Sequence, residues 1–191
     1  FVNSTTSTLY GANGRGRKEP FFLYYGTKLR IGRTKDSFGH IILPGKSGLL
    51  IKKSNLVPIN KESTRAVTGR KLVAQVARFL GVPYLWGGVT TAGFDCSGLV
   101  QTVLSRFGIY IPRDTKDQIR YGEKVERDCI RTGDLLFFKR HVGFAIGKDK
   151  VIHCSAGGGG VRINSLSANR ADYRKDLDRD FDQARRMTCS S

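Results

Sequence analysis

The sequence predicts an α+β protein in which helices pack on an antiparallel sheet, preceded by a small β-barrel. Up to residue 59, short β-rich stretches alternate with Gly, Asn, Pro and Asp, the pattern of a small barrel. Between residues 67 and 108, apolar residues recur at helical spacing in two blocks. Beyond residue 134 the chain reads as strands separated by charged or glycine turns, and helices followed by strands indicate an α+β domain. Residues 60–66 are the expected linker, so the predicted domains are 1–59 and 67–191.

Strands are expected at residues 9–10, 21–25, 28–32, 39–43 and 48–52, with a further β contact at Val2. Ser63 or Thr64 is expected to cap the first helix, whose apolar face is Val67, Leu72, Val73, Val76, Ala77 and Leu80, and Gly81 with Pro83 ends it. The second helix starts after Asp95, carries Leu99, Val100, Val103, Leu104 and Phe107 on one face, and stops at Gly108. A polar helix or loop follows Pro112. Strands are then predicted at 135–138, 142–146, 151–154 and 160–163, with a last one near 184–187. The glycine run 157–160 is not a phosphate-binding loop, because no Lys-Ser/Thr follows it.

Composition narrows the function classes. With 39% apolar residues the chain can bury a core without a disulfide framework. No apolar run of transmembrane length occurs, and the first ten residues lack a signal-peptide pattern. The chain does not begin with Met, which fits a mature or trimmed form. Cys96, Cys129, Cys154 and Cys189 show no zinc-site spacing, so no metal and no cofactor is predicted. The expected state is one reactive thiol and three structural ones. The net charge is +17, from 33 basic and 16 acidic residues, and it is densest in the first third. That implies an anionic partner such as a wall polymer, or merely a basic, soluble surface. No nucleic-acid-binding motif accompanies the charge, so nucleic acid is not expected. A monomer is expected, and the free thiols with the missing signal favour the cytoplasm.

Cys96 sits at the start of the second predicted helix, where free N–H groups and the helix dipole stabilise a thiolate and can hold an oxyanion. The available histidines are His40, His141 and His153. Two antiparallel strands would bring His141 and His153 to one sheet edge beside Cys96, giving a nucleophile, a base and an orienting group. By spacing alone, Cys96 fits a small core residue equally well, the two strand histidines fit satisfied structural ones, and His40 fits the surface.

The surrounding residues go further. Tyr84-Leu-Trp-Gly-Gly, then Gly93-Phe-Asp-Cys-Ser-Gly-Leu-Val, resembles the signature of the NlpC/P60 peptidase family. Ile111-Pro-Arg-Asp-Thr-Lys-Asp-Gln resembles its next block. Gly133-Asp-Leu-Leu-Phe-Phe, His141-Val-Gly-Phe-Ala-Ile and Val151-Ile-His resemble the block with both histidines. These motifs arrive in family order over about residues 66–164. The resemblance implies a papain-like α+β fold and hydrolysis of bacterial cell-wall peptides, commonly between D-γ-glutamate and a diamino acid. It makes Cys96 the nucleophile, His141 the base and His153 the third polar group.

With Leu9-Tyr10, Tyr25-Gly26-Thr27 and a late Gly48-Leu-Leu, residues 1–59 resemble a bacterial SH3 domain, as in γ-D-glutamyl-L-diamino acid endopeptidases, where that domain restricts the cleft to peptides with a free N-terminal L-Ala. By that resemblance Asp95 pairs with the ammonium, Tyr84 and Trp86 line the pocket, Ser97 and Thr115 bind the glutamyl part, and Glu19 is the acid lent by the first domain. Each has a plainer role open to it. Asp95 fits a helix cap, Tyr84 and Trp86 fit core aromatics, Ser97 fits a helix-amide partner and Thr115 fits a cap. Arg113 fits a holder of a substrate carboxylate or a surface cation. The competing functions are an inactive wall-binding module, a thiol amidase on intact wall, and a charge-driven binder. The diamino acid, diaminopimelate or lysine, stays open.

Overall fold

The computed structural model describes residues 2–3, 6–11, 22–44, 46–58 and 67–187. Contacts divide the chain into two compact units, Phe1–Ile59 and Asn60–Ser191.

In the first unit, β1 (Thr6–Thr8) pairs antiparallel with β2 (Phe22–Tyr24). A second sheet runs β3 (Ile31–Lys35), β4 (Phe38–Leu43), β5 (Lys46–Lys52), all antiparallel. Bridges Tyr10↔Leu50 and Val2↔Leu56 tie the pieces together. Val2, Leu9, Ile41 and Ile51 form its core, against which Leu23, Leu29, Ile31, Leu49 and Leu56 pack. Among the described residues this unit is two small sheets with a shared apolar centre. His40 is exposed on β4, as expected for a surface residue. Glu19 lies outside the described residues.

The second unit opens with α1 (Gly69–Ala77). The Thr68 hydroxyl caps it by accepting from the Lys71 amide, which displaces Ser63 and Thr64 from that role. Leu80 also departs from expectation. The helix ends at Arg78, the helical phase is lost, and Phe79 is buried in its place while Leu80 is 47% exposed. A short hairpin, β6 (Val89–Thr90) and β7 (Gly93–Phe94), leads into α2 (Cys96–Arg106). On α2, Leu99, Val100, Val103 and Leu104 are fully buried. Burial of each such side chain contributes roughly 1.5–3 kcal/mol. The helix α3 (Thr115–Gln118) is a single turn.

The main sheet contains β8 (Glu123–Val125), β9 (Leu135–Phe138), β10 (His141–Ile146), β11 (Lys150–Ser155), β12 (Gly160–Ser165) and β13 (Phe181–Arg186), preceded by α4 (Lys175–Arg179). Its spatial order is β12-β11-β10-β9-β13-β8, antiparallel throughout. Side chains alternate between faces along each strand. The face of Val142, Phe144, Ile152 and Cys154 meets the helix layer, where Cys154 Sγ donates to the Phe94 carbonyl just ahead of α2. The other face carries Leu136, Phe138, Ala145 and Val151, in a core cluster with Leu177 of α4 and Ala184 of β13. This helix-on-antiparallel-sheet order is the α+β architecture predicted.

A buried ion pair locks the last strand. Asp134, just ahead of β9, accepts from Arg186 Nε and Nη2, both at 2.8 Å, and from the Arg131 amide. The Asp134 side chain is 3% exposed.

Candidate active site

The second unit contains a cleft of about 900 Å³, and Cys96 and His141 both line it. Cys96 is the first residue of α2, and Asp95 is its N-cap. The cap lets Asp95 consume the Gly98 amide at 2.7 Å, leaving the Cys96 and Ser97 amides ahead of it in the first turn. Gly98 is needed here because a Cβ on it would lie 2.1 Å from the Gly88 carbonyl oxygen. That approach lets Gly88 O accept from the Asp95 amide, while the Gly87 amide donates to Asp95 Oδ2 at 2.9 Å.

The sulfur of Cys96 lies 3.8 Å from the Thr115 hydroxyl and receives the amides of Ser97 and Val142. Because Val142 directly follows His141, the start of β10 comes to this sulfur. Burial pushes the Cys96 thiol up, and the Asp95 charge adds to it, against the Thr115 hydrogen bond and the two amides. Burial also pushes the His141 imidazole down to about 3, with the His153 ring and Arg174 adding to that effect. The lowered thiol expected from the helix start is therefore not met in the free site. Desolvation outweighs the hydrogen bonds to the sulfur, and burial disfavours the charged form of both groups.

Behind His141 runs a chain of hydrogen bonds. His141 Nε2 lies 2.7 Å from His153 Nδ1, and His153 Nε2 lies 3.0 Å from Asn164 Oδ1. Asn164 Nδ2 donates to the Asp172 carbonyl, which turns Oδ1 toward the ring. An amide oxygen only accepts, so His153 carries its proton on Nε2 and accepts on Nδ1. His141 must then donate from Nε2, which leaves the Nδ1 lone pair as its basic site. Strand register makes the chain possible. Val151 pairs with Asn164 and His153 with Arg162, so Asn164 is the diagonal neighbour of His153 on one face. Gly143 faces His153 across the next pair, where a Cβ would meet the His153 Cβ at 2.8 Å. His153 is 1% and Asn164 4% exposed.

Asn164 was missed from sequence because the predicted strand stopped at Ile163, one residue short. The hairpin register supplies the signal that finds it: His153 pairs with Arg162, and Asn164 lies two residues further on the same face.

Asp95 and Arg113 form a paired unit on the opposite wall. Arg113 Nη1 donates to Asp95 Oδ1 at 3.0 Å and to Ser97 Oγ at 2.8 Å, and Nη2 donates to Asp95 Oδ2 at 2.5 Å. Burial raises the Asp95 carboxyl, but Arg113 and the Gly98 and Gly87 amides outweigh it and hold it below the usual carboxylate range. Asp95 thus acts as the cap and also lines the cleft. Ser97 bonds Asp95 rather than a helix amide, and Thr115 meets the thiol while Asp114 holds the cap position. Gln118, fully buried, donates from Nε2 to the carbonyls of Ser97, Pro112 and Arg113, pinning the 112–118 block to the start of α2. Tyr84 lines the cleft half-buried, and Trp86 stands 87% exposed at its rim, so Trp86 is not a core aromatic. Burial pushes the Cys154 thiol up to about 12, with Cys96 and Asp95 adding to it, so it stays neutral. Cys129 and Cys154 are free thiols, and Cys189 lies outside the described residues. No group of three His, Cys, Asp or Glu among the described residues is arranged to hold a metal.

Against known proteins, the NlpC/P60 family pattern matches residues 81–178. The chain is 36% identical over 135 residues to a gamma-D-glutamyl-L-lysine dipeptidyl-peptidase of Bacillus subtilis, covering 66% of this chain and 44% of that one. It is 39% identical over 127 residues to an Escherichia coli protein named murein DD-endopeptidase MepS/murein LD-carboxypeptidase, covering 63% and 64%. The crystal structure of an NlpC/P60 family protein from Bacillus cereus superposes with a TM-score of 0.82 at 28% identity, over 98% of this chain and 62% of that one. The chain spans about half the length of the curated relatives it matches.

Proposed function

Since the chain belongs to the NlpC/P60 family, we propose that it is a cysteine peptidase that hydrolyses bacterial cell-wall peptides at the γ-D-glutamyl–diamino acid bond. The observation carrying this is that Cys96, at a helix start, shares one cleft with His141, the head of the hydrogen-bond chain His141–His153–Asn164. Nδ1 of His141 takes the thiol proton as sulfur attacks the γ-carbonyl carbon. The oxyanion falls to the helix-start amide of Cys96, a fixed donor aimed where the charge develops. The imidazolium keeps its Nε2–H bond to His153 and returns the proton to the leaving amine of the diamino acid. Water, deprotonated by the same Nδ1, then cleaves the thioester and restores the thiol.

Several features support a free N-terminal L-Ala as the preferred acyl side. Asp95 is an ionised carboxylate on the cleft wall, and Tyr84, Ser97 and Thr115 stand beside it. An ammonium there shares Asp95 with Arg113. The gamma-D-glutamyl-L-lysine peptidases among the relatives favour this bond. We read residues 1–59 as a bacterial SH3-like domain. The substrate class places the protein in a bacterium, and no helix among the described residues is long and apolar enough to cross a membrane. Action on intact wall is the second reading, favoured by the murein endopeptidase relative.

The test is incubation with L-Ala-γ-D-Glu-diaminopimelate and with its lysine counterpart, with products read by mass spectrometry. Released L-Ala-D-Glu is expected. None released, from protein whose Cys96 is shown by peptide mapping to be alkylated by iodoacetamide, refutes the reading. Acetylating the substrate's N-terminus is expected to abolish cleavage, and unchanged rates remove Asp95 from ammonium binding.

A further inference from the structure

We propose that Arg140, in the turn between β9 and β10, is a carboxylate-binding subsite on the leaving-group side of the cleft. The proposal rests on the cysteine-peptidase reading. Phe138 pairs directly with His141, so Lys139 and Arg140 form a two-residue hairpin turn, and both line the cleft. Arg140 has φ 60°, in the left-handed region that favours glycine or asparagine. A side chain placed there costs free energy that the turn alone does not need, and such residues cluster at ligand sites.

The other arginines of the cleft wall are already engaged. Arg113 is held by Asp95, and Arg174 by Asp176 through two hydrogen bonds. Arg140 is exposed and has no ion pair or side-chain hydrogen bond among the described residues. Lys139 is less free: its amide donates to the Asp180 carbonyl, and its ammonium acts on the Asp180 carboxylate, which Arg179 holds. Asp182 is the acid on this wall left to compete.

Chemistry decides what Arg140 faces. His141 must hand its proton to the departing amine, so the leaving amino acid lies on the His141 side, one residue from Arg140. A diamino acid brings a carboxylate there from one of two sources: its own α-carboxyl when it ends the peptide, or the second carboxyl of diaminopimelate. A planar guanidinium takes either bidentately.

The experiment uses the full chain and three ligands: L-Ala-γ-D-Glu-L-Lys as free acid, the same peptide as C-terminal amide, and L-Ala-γ-D-Glu-meso-diaminopimelate amidated at the α-carboxyl. Turnover is measured with the native enzyme, and dissociation constants are measured in the Cys96→Ala background, with and without Arg140→Asn. The native side chain is expected to favour at least one carboxylate ligand over the lysine amide by about tenfold. The acid-to-amide pair reports the α-carboxylate, and the diaminopimelate ligand reports the side-chain one. Arg140→Asn is expected to bring these ratios near one, with the melting temperature held or raised because asparagine tolerates the turn. Ratios that survive Arg140→Asn, or a Cys96→Ala protein that prefers the lysine amide, overturn the subsite. Binding contrasts that appear without any turnover of native enzyme count against the peptidase reading and not against the subsite.

Discussion

Replacing Asn164 by leucine tests the proton chain from its far end. The change keeps a side chain of similar size but removes the acceptor for His153 Nε2–H and the donor to the Asp172 carbonyl. A buried N–H left without a partner costs about 1–3 kcal/mol. The ring escapes that cost by moving its proton to Nδ1, where it confronts the Nε2–H of His141. His141 then switches as well and loses the Nδ1 lone pair that receives the thiol proton. In the native transition state the chain supplies a hydrogen bond to a cation, worth about 1.5–3 kcal/mol, so kcat is expected to fall about 10–100-fold. KM stays near its native value, since Asn164 is absent from the cleft wall. The assay is kcat and KM on the tripeptide, with the nitrogen-15 shifts of His153. These report a protonated Nε2 in the native protein and a protonated Nδ1 in the variant. Asn164→Asp, which restores an acceptor, recovers most of the rate. A kcat within about threefold of native, less than one kcal/mol, with an unchanged His153 nitrogen pattern, refutes the reasoning.

Other outcomes follow from the same geometry. Arg186→Met strands the Asp134 carboxylate in the interior and is expected to destabilise the fold by about 3–5 kcal/mol, read from the urea midpoint; a loss below about 1 kcal/mol contradicts a buried pair. The His141 imidazole takes up its proton near 6.5 when unfolded and near 3 when folded, so its contribution is intact above pH 6.5 and is lost as pH falls toward 3. That group alone is worth on the order of 4 kcal/mol across the window, and His141→Gln is expected to flatten the pH dependence of stability. Parallel curves for the two proteins exclude the shift. Because burial holds the Cys96 thiol up, alkylation of Cys96 by iodoacetamide should keep rising above pH 9, whereas a plateau near pH 6 shows a preformed ion pair. Gly98→Ala drives a Cβ into the Gly88 carbonyl and is expected to cost about 1–3 kcal/mol, measured by thermal melting.

What could be read from sequence was what is decided locally. The second helix, its Asp95 cap and its Gly108 stop depend on neighbours within a few residues, and all three stand where the pattern put them. The sheet strands were readable because alternation and turn residues mark them. Asn164 was hidden because its place beside His153 is a matter of register between two strands, and a strand end drawn one residue early removes it. Arg113 stayed open between a ligand contact and a surface cation because its partner Asp95 lies eighteen residues away in sequence, outside any local pattern. The thiol had the wrong sign because the helix dipole can be seen in a sequence, whereas desolvation of the sulfur needs the packed site. The first unit was legible as short strands with an apolar centre.

Gln118 reaches no reacting atom, yet it decides how the cleft can move. Its amide holds three carbonyls at once, and Arg113 cross-links the same segment to Asp95 and Ser97. Cys96, Asp95, Arg113 and Thr115 are therefore held as one block, which cannot open without breaking a largely buried polar cluster. In the proposed reaction a ligand's acyl half meets this preset template, while its departing half faces the hairpin tip that carries Lys139 and Arg140. Altered preference for the departing residue is then reachable by changing two exposed turn positions, while altered preference for the acyl half demands rebuilding a whole block.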